Sequence, residues 1–339
     1  MKEKLYGKTL AALRDVAAET GMPRFAAGQM ASWLYKKNVR EIDSMTDISA
    51  ANRALLSEKY EVGLTPPIKE TVSKDGTKKY LFASEAGGFV EAAMIPDRDR
   101  ATLCLSSQAG CRMGCDFCMT ARQGLQHNLT VCDILNQFAS LPERDSLTNI
   151  VYMGMGEPLD NTDAVLQSLE VLAAEWGYAW SPTRITLSTA GVGPALERFL
   201  SESRVHLAVS LHNPFPDERA AIMPIEKAYP VEKIVGAIRR HDFSHQRRVS
   251  FEYIVMKGLN DTPRHVAELA RLLNGLPCRI NLIRFHKVPG SPYFSPGQEE
   301  MERFRDALSR KGITTTIRAS RGEDIAAACG LLSTKEMKR

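Results

Sequence analysis

Residues 101–118 read Ala-Thr-Leu-Cys-Leu-Ser-Ser-Gln-Ala-Gly-Cys-Arg-Met-Gly-Cys-Asp-Phe-Cys, an apolar β-type run followed by a loop that carries three cysteines. The run, residues 103–106, is the first of seven that alternate with helical stretches. The others are residues 149–153, 184–188, 205–210, 249–255, 279–283 and 314–317. Repeated β–α units predict a parallel α/β sheet with right-handed crossovers. Six or seven strands fit a partial (β/α)6 barrel better than a complete eight-stranded barrel.

Composition and charge limit the class of protein. The chain has 339 residues, 44% hydrophobic and 25% charged, which excludes wholesale disorder. We find no membrane-spanning stretch and no signal peptide, so we expect a cytoplasmic protein without membrane contact. The net charge is +4, and residues 1–80 hold the whole excess with 14 basic and 10 acidic residues. This excess fits either a solvated helical surface or a nucleic-acid contact.

Three regions are expected along the chain. Residues 1–64 read as three short helices that form a small binding module, with Pro23 at the first position of the second helix. Residues 65–96 carry a β-hairpin signal with a Lys-Asp-Gly turn at residues 74–76, and read as a connector. Residues 97–339 then form the barrel and a C-terminal segment.

Polar residues follow several of the seven runs at the point where each run ends. In parallel α/β barrels the chemistry lies at the C-terminal ends of the strands, so these residues predict a site at that end. They are Cys111 and its loop, Gly156 and Glu157, Ser188 and Thr189, Ser210 and His212, and Arg284 and His286.

The three-cysteine loop has the spacing C-x3-C-x2-C and indicates a metal or cluster site. The chain has seven cysteines, an odd number that argues against a disulfide framework. A structural zinc ion needs a fourth ligand, for which His127 or Cys132 is available. A [4Fe–4S] cluster held by three cysteines instead leaves one iron open for a ligand. The spacing alone leaves both alternatives open.

The cysteine loop after a first strand resembles the signature of the radical S-adenosylmethionine (SAM) superfamily. Residues 154–158, Gly-Met-Gly-Glu-Pro, resemble the superfamily motif that binds the SAM amino group. The resemblance implies one [4Fe–4S] cluster per chain on Cys111, Cys115 and Cys118, with SAM on the open iron. It also implies that SAM is cleaved to a 5′-deoxyadenosyl radical by an electron from a donor such as flavodoxin or ferredoxin.

Nearly the whole chain resembles the RlmN/Cfr family of RNA adenosine methyltransferases. The matching segments are residues 100–108, 111–118, 154–159, 188–191, 210–212 and 324–330. Residues 321–325, Arg-Gly-Glu-Asp-Ile, are similar to the RlmN branch, which methylates adenosine C2 in 23S rRNA and in tRNA next to the anticodon. The Cfr branch, which methylates C8, is the closest alternative. A non-catalytic RNA-binding protein with a structural zinc site is an alternative of a different class.

The resemblance implies a covalent mechanism, because adenine C2 is not a nucleophile. Two SAM molecules are consumed: the first methylates Cys329 on sulfur, and the second yields the radical that activates this methyl group for addition to C2. Glu91 aligns with the proposed acceptor of the C2 proton. Cys104 then attacks the Cys329 sulfur as a thiolate, forming a transient disulfide and releasing the product.

The remaining SAM contacts are also implied by the resemblance. They are Gly156, Glu157, Ser188, Ser210, Leu211 and His212. His286 stands where many relatives have an asparagine near the SAM adenine, and a histidine can also donate and accept hydrogen bonds. By pattern alone, Glu91 at a strand end would be exposed, while Cys104 and Cys329 would be small core residues. Cys132 and Cys278 match nothing in the family and are interpreted as core residues.

An RNA substrate gives residues 1–64 the expected role of an RNA-binding accessory domain, in a protein that we expect to be monomeric. Basic clusters that would contact phosphates are Lys36 and Lys37, Lys59, Lys78 and Lys79, residues 239–241, and Arg247 and Arg248. The target adenosine would have to swing out into the barrel mouth.

Overall fold

The computed structural model describes residues 2–244 and 247–334. Residue 1 and residues 335–339, at the ends of the first and third expected domains, lie outside the described residues. The strands are β1 (Glu3–Lys4), β2 (Tyr60–Glu61), β3 (Lys69–Val72), β4 (Lys78–Ala83), β5 (Phe89–Asp97), β6 (Arg100–Cys104), β7 (Gln108–Ala109), β8 (His127–Asn128), β9 (Asn149–Tyr152), β10 (Ile185–Thr189), β11 (His206–Ser210), β12 (Val249–Val255), β13 (Arg279–Arg284) and β14 (Thr314–Ile317). The α-helices are α1 (Leu10–Glu19), α2 (Ala26–Ala31), α3 (Ala50–Lys59), α4 (Met119–Gln123), α5 (Val131–Ala139), α6 (Thr162–Ala173), α7 (Gly193–Glu202), α8 (Pro216–Ile222), α9 (Val231–Arg239), α10 (Pro263–Leu272) and α11 (Gln298–Arg310).

The main sheet confirms the predicted parallel α/β fold. Within the described ranges it has ten strands in the order β14-β13-β12-β11-β10-β9-β6-β5-β4-β3. The seven strands from β14 to β6 are parallel to one another, and each corresponds to one of the seven apolar runs. The strand β12 is buried along its whole length, as expected for a central strand of a parallel sheet, and Glu252 and Ile254 on it line the barrel interior.

The hairpin region continues the barrel sheet. The strands β3, β4 and β5 are antiparallel, and β5 pairs with β6 in a register that sets Ala93 opposite Cys104. The connector expected at residues 65–96 therefore contributes strands to the same sheet as the barrel. The boundaries at residues 64 and 96 remain predictions.

The N-terminal helices begin at capping residues. The Thr9 side chain accepts a hydrogen bond from the Ala12 amide at the start of α1, and Ser49 caps α3 in the same way. The expectation for Pro23 is wrong, because α2 begins three residues later. The chain reverses after α1, and the Pro23 carbonyl accepts from the Ala26 amide at 2.9 Å, so residues 23–25 form the turn between the two helices. A π-helix, Ser32–Lys36, extends α2.

The helical module and the barrel share one hydrophobic core. Leu5, Leu13 and Leu34 from the module belong to the same buried cluster as Ile150 and Leu187 from the sheet. Because burial of these apolar side chains stabilises both parts together, the module is held in a fixed position against α5 and α6.

The segment after β14 returns across the cavity end of the sheet and is held by the hairpin turn. The Asp324 carboxylate accepts hydrogen bonds from the Ser73 hydroxyl at 2.5 Å and from the Lys74 amide at 3.1 Å. The Asp75 carboxylate accepts from the Gly322 amide at 2.8 Å. These bonds fix the beginning of the segment that carries Cys329.

Candidate functional site

One cavity lies at the C-terminal ends of the parallel strands. The three loop cysteines line it together with most of the residues predicted for SAM binding and with both predicted reactive cysteines. These lining residues are Cys104, Cys111, Cys115, Cys118, Gly156, Glu157, Ser188, Ser210, His212, His286 and Cys329. Of the predicted site residues, Arg284, Leu211 and Glu91 do not line it, and the Arg284 side chain instead donates to the Pro296 carbonyl and to Gln298.

The cysteine loop is closed by its own backbone. The Cys111 amide donates to the Gly124 carbonyl at 3.2 Å, and a side chain at Gly110, whose φ is +83°, would collide with that carbonyl. The Asp116 backbone carbonyl accepts from Arg122 at 2.8 Å, which ties the loop to α4. The three thiols are thus carried by a loop of fixed shape rather than by a mobile segment.

The donor set of this loop fits an iron–sulfur cluster. Burial raises the pKa of the Cys111 thiol to about 12 and raises the pKa values of Cys115 and Cys118, so the thiols are neutral unless a cation is bound. Within the described residues, no three His, Cys, Asp or Glu side chains gather closely enough to hold a single metal ion. The ligands of a [4Fe–4S] cluster bind separate irons and do not have to meet at one ion, so three thiols on one cavity wall remain compatible with such a cluster.

Glu157 is a buried carboxylate that neighbouring donors orient. Its oxygens accept from the Thr189 hydroxyl at 2.6 Å, the Ala190 amide at 2.7 Å and the Leu159 amide at 3.0 Å. Burial nevertheless outweighs these bonds and raises the pKa of Glu157 to about 7. A cationic amino group of a ligand would stabilise the charged carboxylate at this position.

Gly156 allows the chain to approach β7 closely. Its φ is +99°, and a Cβ atom there would lie 2.5 Å from the Cβ atom of Gln108. The next amide, that of Glu157, donates to the Gln108 side-chain oxygen at 2.8 Å. Glycine is therefore required where the predicted Gly-Glu-Pro motif turns toward the cavity.

His212 is a neutral histidine in a left-handed conformation. Its φ is +56°, and its Nδ1 atom accepts from the Ile254 amide at 3.0 Å, so Nε2 carries the proton. Burial lowers the pKa of His212 to about 3. The ring packs edge-on against Phe117 of the cysteine loop. The side chain therefore connects the strand end to the loop.

Arg219 holds the backbone around Ser210 and is a site feature that the sequence analysis missed. Its fully buried guanidinium donates to the carbonyls of Ser210, Leu211 and Ala190, at 2.8 to 3.1 Å, and forms an ion pair with buried Glu226. In sequence it stands among charged residues at the start of α8, which is typical of a solvent-facing position. No local signal distinguishes it.

The two predicted reactive cysteines face the same cavity from different directions. Cys104 is the last residue of β6 and is buried, whereas Cys329 is exposed; both are thiols, with no disulfide between them. Burial and, after it, the negative charge of a Cys329 thiolate raise the pKa of Cys104 to about 12. This interaction indicates that the two sulfurs are near each other.

The first residues of α4, directly after the cysteine loop, hold the segment after Cys329. The Gly330 carbonyl accepts from the Met119 amide at 2.8 Å, and the Leu332 carbonyl accepts from the Thr120 hydroxyl at 2.7 Å. On the other side, Nδ1 of His286 lies 3.4 Å from a Glu323 oxygen. The segment therefore joins the cysteine loop to the opposite wall of the cavity.

Glu91 is not at a strand end and is not exposed. It is the third residue of β5 and has only 2% of its surface accessible, so the expectation from pattern alone is wrong. One carboxylate oxygen lies 2.9 Å from the Lys79 ammonium, and the other accepts from the Ser333 amide at 3.0 Å. The ion pair is what makes burial of this charge possible.

The chain was compared with known proteins. Residues 105–273 match the radical SAM superfamily, and residues 4–62 match the ribosomal RNA large subunit methyltransferase N-terminal domain. A probable dual-specificity RNA methyltransferase RlmN from Parabacteroides distasonis is 58% identical, over 98% of this chain and 97% of its own length. The dual-specificity RNA methyltransferase RlmN of Syntrophobacter fumaroxidans is 41% identical, over 96% of each chain. The crystal structure of a radical SAM methyltransferase from Sphaerobacter thermophilus superposes with a TM-score of 0.90 at 39% identity, over 97% of this chain and 99% of that one.

Proposed function

Because this chain belongs to the RlmN family of radical SAM RNA methyltransferases, we propose that it methylates C2 of an adenosine in 23S rRNA and in tRNA next to the anticodon. The observation that carries the proposal is that Cys104, Cys329 and the three-cysteine loop line one cavity. C2 lies between two ring nitrogens and is not nucleophilic, so simple displacement on SAM cannot methylate it. Two thiols beside a cluster loop supply the covalent route that this carbon requires.

Cys111, Cys115 and Cys118 would hold one [4Fe–4S] cluster per chain. SAM would be bound by Gly156, Glu157, Ser188, Ser210, Leu211, His212 and His286. The bound groups supply a methyl group and a 5′-deoxyadenosyl radical, at the cost of two SAM molecules per methylation. Glu157 offers its buried carboxylate to the SAM amino group, and Leu211 contributes only its backbone because its side chain faces the core.

The reacting groups of the chain are Cys329, Glu91 and Cys104. Cys329 carries the methyl group to C2, which its exposed position on the cavity wall supports. Glu91 accepts the C2 proton, for which its buried carboxylate is suited. Since the Ser333 amide occupies one Glu91 oxygen, this transfer requires that contact to be exchanged for the substrate. Cys104 then attacks the Cys329 sulfur, and the disulfide exists only during turnover.

RNA binding would involve residues 1–64 and the barrel face. Lys36 and Lys37 of the helical module are exposed and remain the best candidates for phosphate contacts. Lys59, Lys78 and Lys79 each pair with an acidic side chain, so they contribute less than the sequence predicts. In the part of the chain that the structure describes, no helix is long and apolar enough to cross a membrane. We further propose a cytoplasmic monomer that receives electrons from flavodoxin or ferredoxin.

The test is nucleoside mass spectrometry of rRNA and tRNA from cells that lack the gene. We expect 2-methyladenosine to be lost from both pools, and to return with the wild-type gene but not with Cys329→Ala. Cys278→Ala is the matched control, since this half-buried thiol lies at the opposite ends of the strands. If 8-methyladenosine is the nucleoside that disappears from cells without the gene and returns with the wild-type gene, the C8 alternative is supported. A colourless zinc-containing protein that never cleaves SAM after reduction would support the non-catalytic alternative.

A further inference from the structure

Arg318 lies directly after β14, and a polar network inside the barrel fixes its side chain. Its Nη1 atom lies 3.4 Å from a Glu252 oxygen. The other Glu252 oxygen accepts from the Asn281 amide group at 2.7 Å and from the Ser250 hydroxyl at 3.1 Å. Asn281 in turn accepts from the Thr316 hydroxyl at 2.8 Å. Three strands, β12, β13 and β14, thus hold one guanidinium at the cavity wall.

Met153 connects this guanidinium to Cys104. The Met153 sulfur accepts a hydrogen bond from Arg318 Nη1 at 3.5 Å. Met153 also packs in a small apolar cluster with Cys104 and Ala327. Arg318 and Cys104 both line the same cavity. The guanidinium and the thiol therefore lie on either side of a single residue.

The charged groups around Cys104 come from several elements. Arg318, directly after β14, interacts with Cys329 of the C-terminal segment more strongly than with Cys104, and Glu252 of β12 pairs with its guanidinium. On β5, Glu91 lies two residues from Ala93, which is opposite Cys104, and its charge is paired with Lys79. Burial raises the pKa of Cys104 most, Cys329 adds to this rise, and Arg318 opposes it.

We propose that Arg318, oriented by Glu252, is a positioning residue that stabilises the Cys104 thiolate for its attack on Cys329. The inference rests on the proposed function, because it concerns the step that resolves the covalent RNA adduct. In that step the Cys104 sulfur forms a bond to the Cys329 sulfur, and the bond from that sulfur to the methylene carbon on C2 breaks. The electron pair goes to the methylene carbon, which takes up a proton to become the methyl group. A dithiol reductant then returns the disulfide to two thiols with two electrons and two protons.

The charges of Cys329 and Arg318 at the stage of the RNA adduct favour this role. While the Cys329 sulfur is bonded to RNA it carries no negative charge, so its unfavourable effect on Cys104 is absent. The Arg318 charge persists, because an arginine side chain stays protonated. The electrostatic field at Cys104 therefore favours its thiolate most when the adduct is present and the thiolate is needed.

The first test is alkylation of Cys104 in full-length protein loaded with its cluster. Cys329 is replaced by serine to mimic its uncharged state, and iodoacetamide modification of the Cys104 peptide is followed by mass spectrometry from pH 7 to 10. For each unit by which Arg318→Met raises the pKa, the thiolate fraction falls tenfold, while its nucleophilicity rises about threefold. The rate of Cys104 alkylation should therefore fall about threefold for each unit of increase in its pKa, at each pH tested below that pKa. Arg318→Lys, which keeps the positive charge, should remain close to the parent.

The second test follows resolution of the adduct with labelled RNA on denaturing gels. Cys104→Ala should accumulate covalent protein–RNA adduct at all pH values, whereas the wild type should not. Arg318→Met should accumulate adduct near pH 7.5 and lose it as the pH rises, and Glu252→Gln should do so to a smaller extent. Should Arg318→Met not fold, Arg318→Gln takes its place in both tests.

The outcomes separate this inference from the proposed function. If Cys104→Ala traps the adduct but Arg318→Met resolves it like the wild type, the role of Arg318 is wrong and the covalent route stands. If Cys104→Ala traps no adduct, the covalent route fails and this role fails with it. An unchanged alkylation rate in Arg318→Met also overturns the inference.

Discussion

Replacing Arg219 by methionine should unfold the protein far more easily than replacing an exposed arginine. The guanidinium is fully buried, and its ion-pair partner Glu226 is nearly so. Methionine fills similar space but leaves the Glu226 carboxylate without a cation, while the Val231 amide still donates to it. Removing one partner of a buried pair costs about 3–5 kcal/mol, and the three carbonyls that lose a donor add to this.

The measurement is the free energy of unfolding from urea denaturation, with the melting temperature alongside. At about 2 °C per kcal/mol for a chain of this size, the melting temperature of Arg219→Met should fall by roughly 6–10 °C. Arg198→Met is the control, because Arg198 also forms ion pairs, in its case with Asp163 and Glu202, but is exposed. Exposed pairs contribute about 0–1 kcal/mol, so this control should change little.

A double-mutant cycle tests the physical cause. The double variant Arg219→Met with Glu226→Gln has no unpaired buried charge, so its cost should be lower than the sum of the two single costs by at least about 2 kcal/mol. Additive costs, or a loss in Arg219→Met no larger than in Arg198→Met, would refute the reasoning. Since the guanidinium also holds the Ser210 and Ala190 carbonyls, the affinity for SAM should fall together with stability.

Three further predictions concern the same cavity. Burial lowers the pKa of His212 to about 3, so below pH 6.5 the unfolded chain binds a proton that the folded chain does not. The free energy of unfolding should therefore fall by about 2 kcal/mol between pH 7.5 and pH 5. The fall should be smaller in His212→Asn, because asparagine tolerates the positive φ at this position but does not titrate. An equal pH dependence in both proteins would contradict this. Gly156→Ala places a Cβ atom 2.5 Å from that of Gln108 and should lower the free energy of unfolding, measured by thermal denaturation, by about 2 kcal/mol or more. The control Gly28→Ala, whose Cβ atom would have nothing within 4 Å, should leave the stability unchanged or raise it. Intact-protein mass spectrometry should find one methyl group on Cys329 after incubation with SAM, and full turnover by Cys329→Ala would exclude the covalent mechanism.

Local sequence patterns predicted the framework of this fold well. The run at residues 249–255 coincides with β12, and that at residues 314–317 coincides with β14. Both follow from short-range preferences, because β-branched residues favour strands. Pro23 shows the limit of such reasoning, since the reversal after α1 used the residues that would have formed the first turn of α2.

The charged residues inside the barrel could not be predicted in the same way. Arg219 and Glu226 are local in sequence, but the carbonyls that Arg219 holds lie at the ends of β10 and β11. Glu91 is buried beside Lys79 of the neighbouring strand, which pairs with it, and beside the Ser333 amide, which donates to it. Arg318 is a different case, because it follows a predicted strand and the rule that selected Arg284 and His286 would also have selected it.

The hydrogen bonds on both sides of Cys329 limit how far this residue can move. Asp324 is held by the hairpin turn, and Gly330 is held by the start of α4, so only five residues lie between two fixed points. The Cα atom of Cys329 is one residue, 3.8 Å, from the second of these points. Its sulfur can therefore change partners by rotation about the side chain, but it cannot travel across the cavity. The methyl donor and the adenosine must both be brought to this sulfur. The short segment between the two anchors therefore determines where in the cavity each of them reacts.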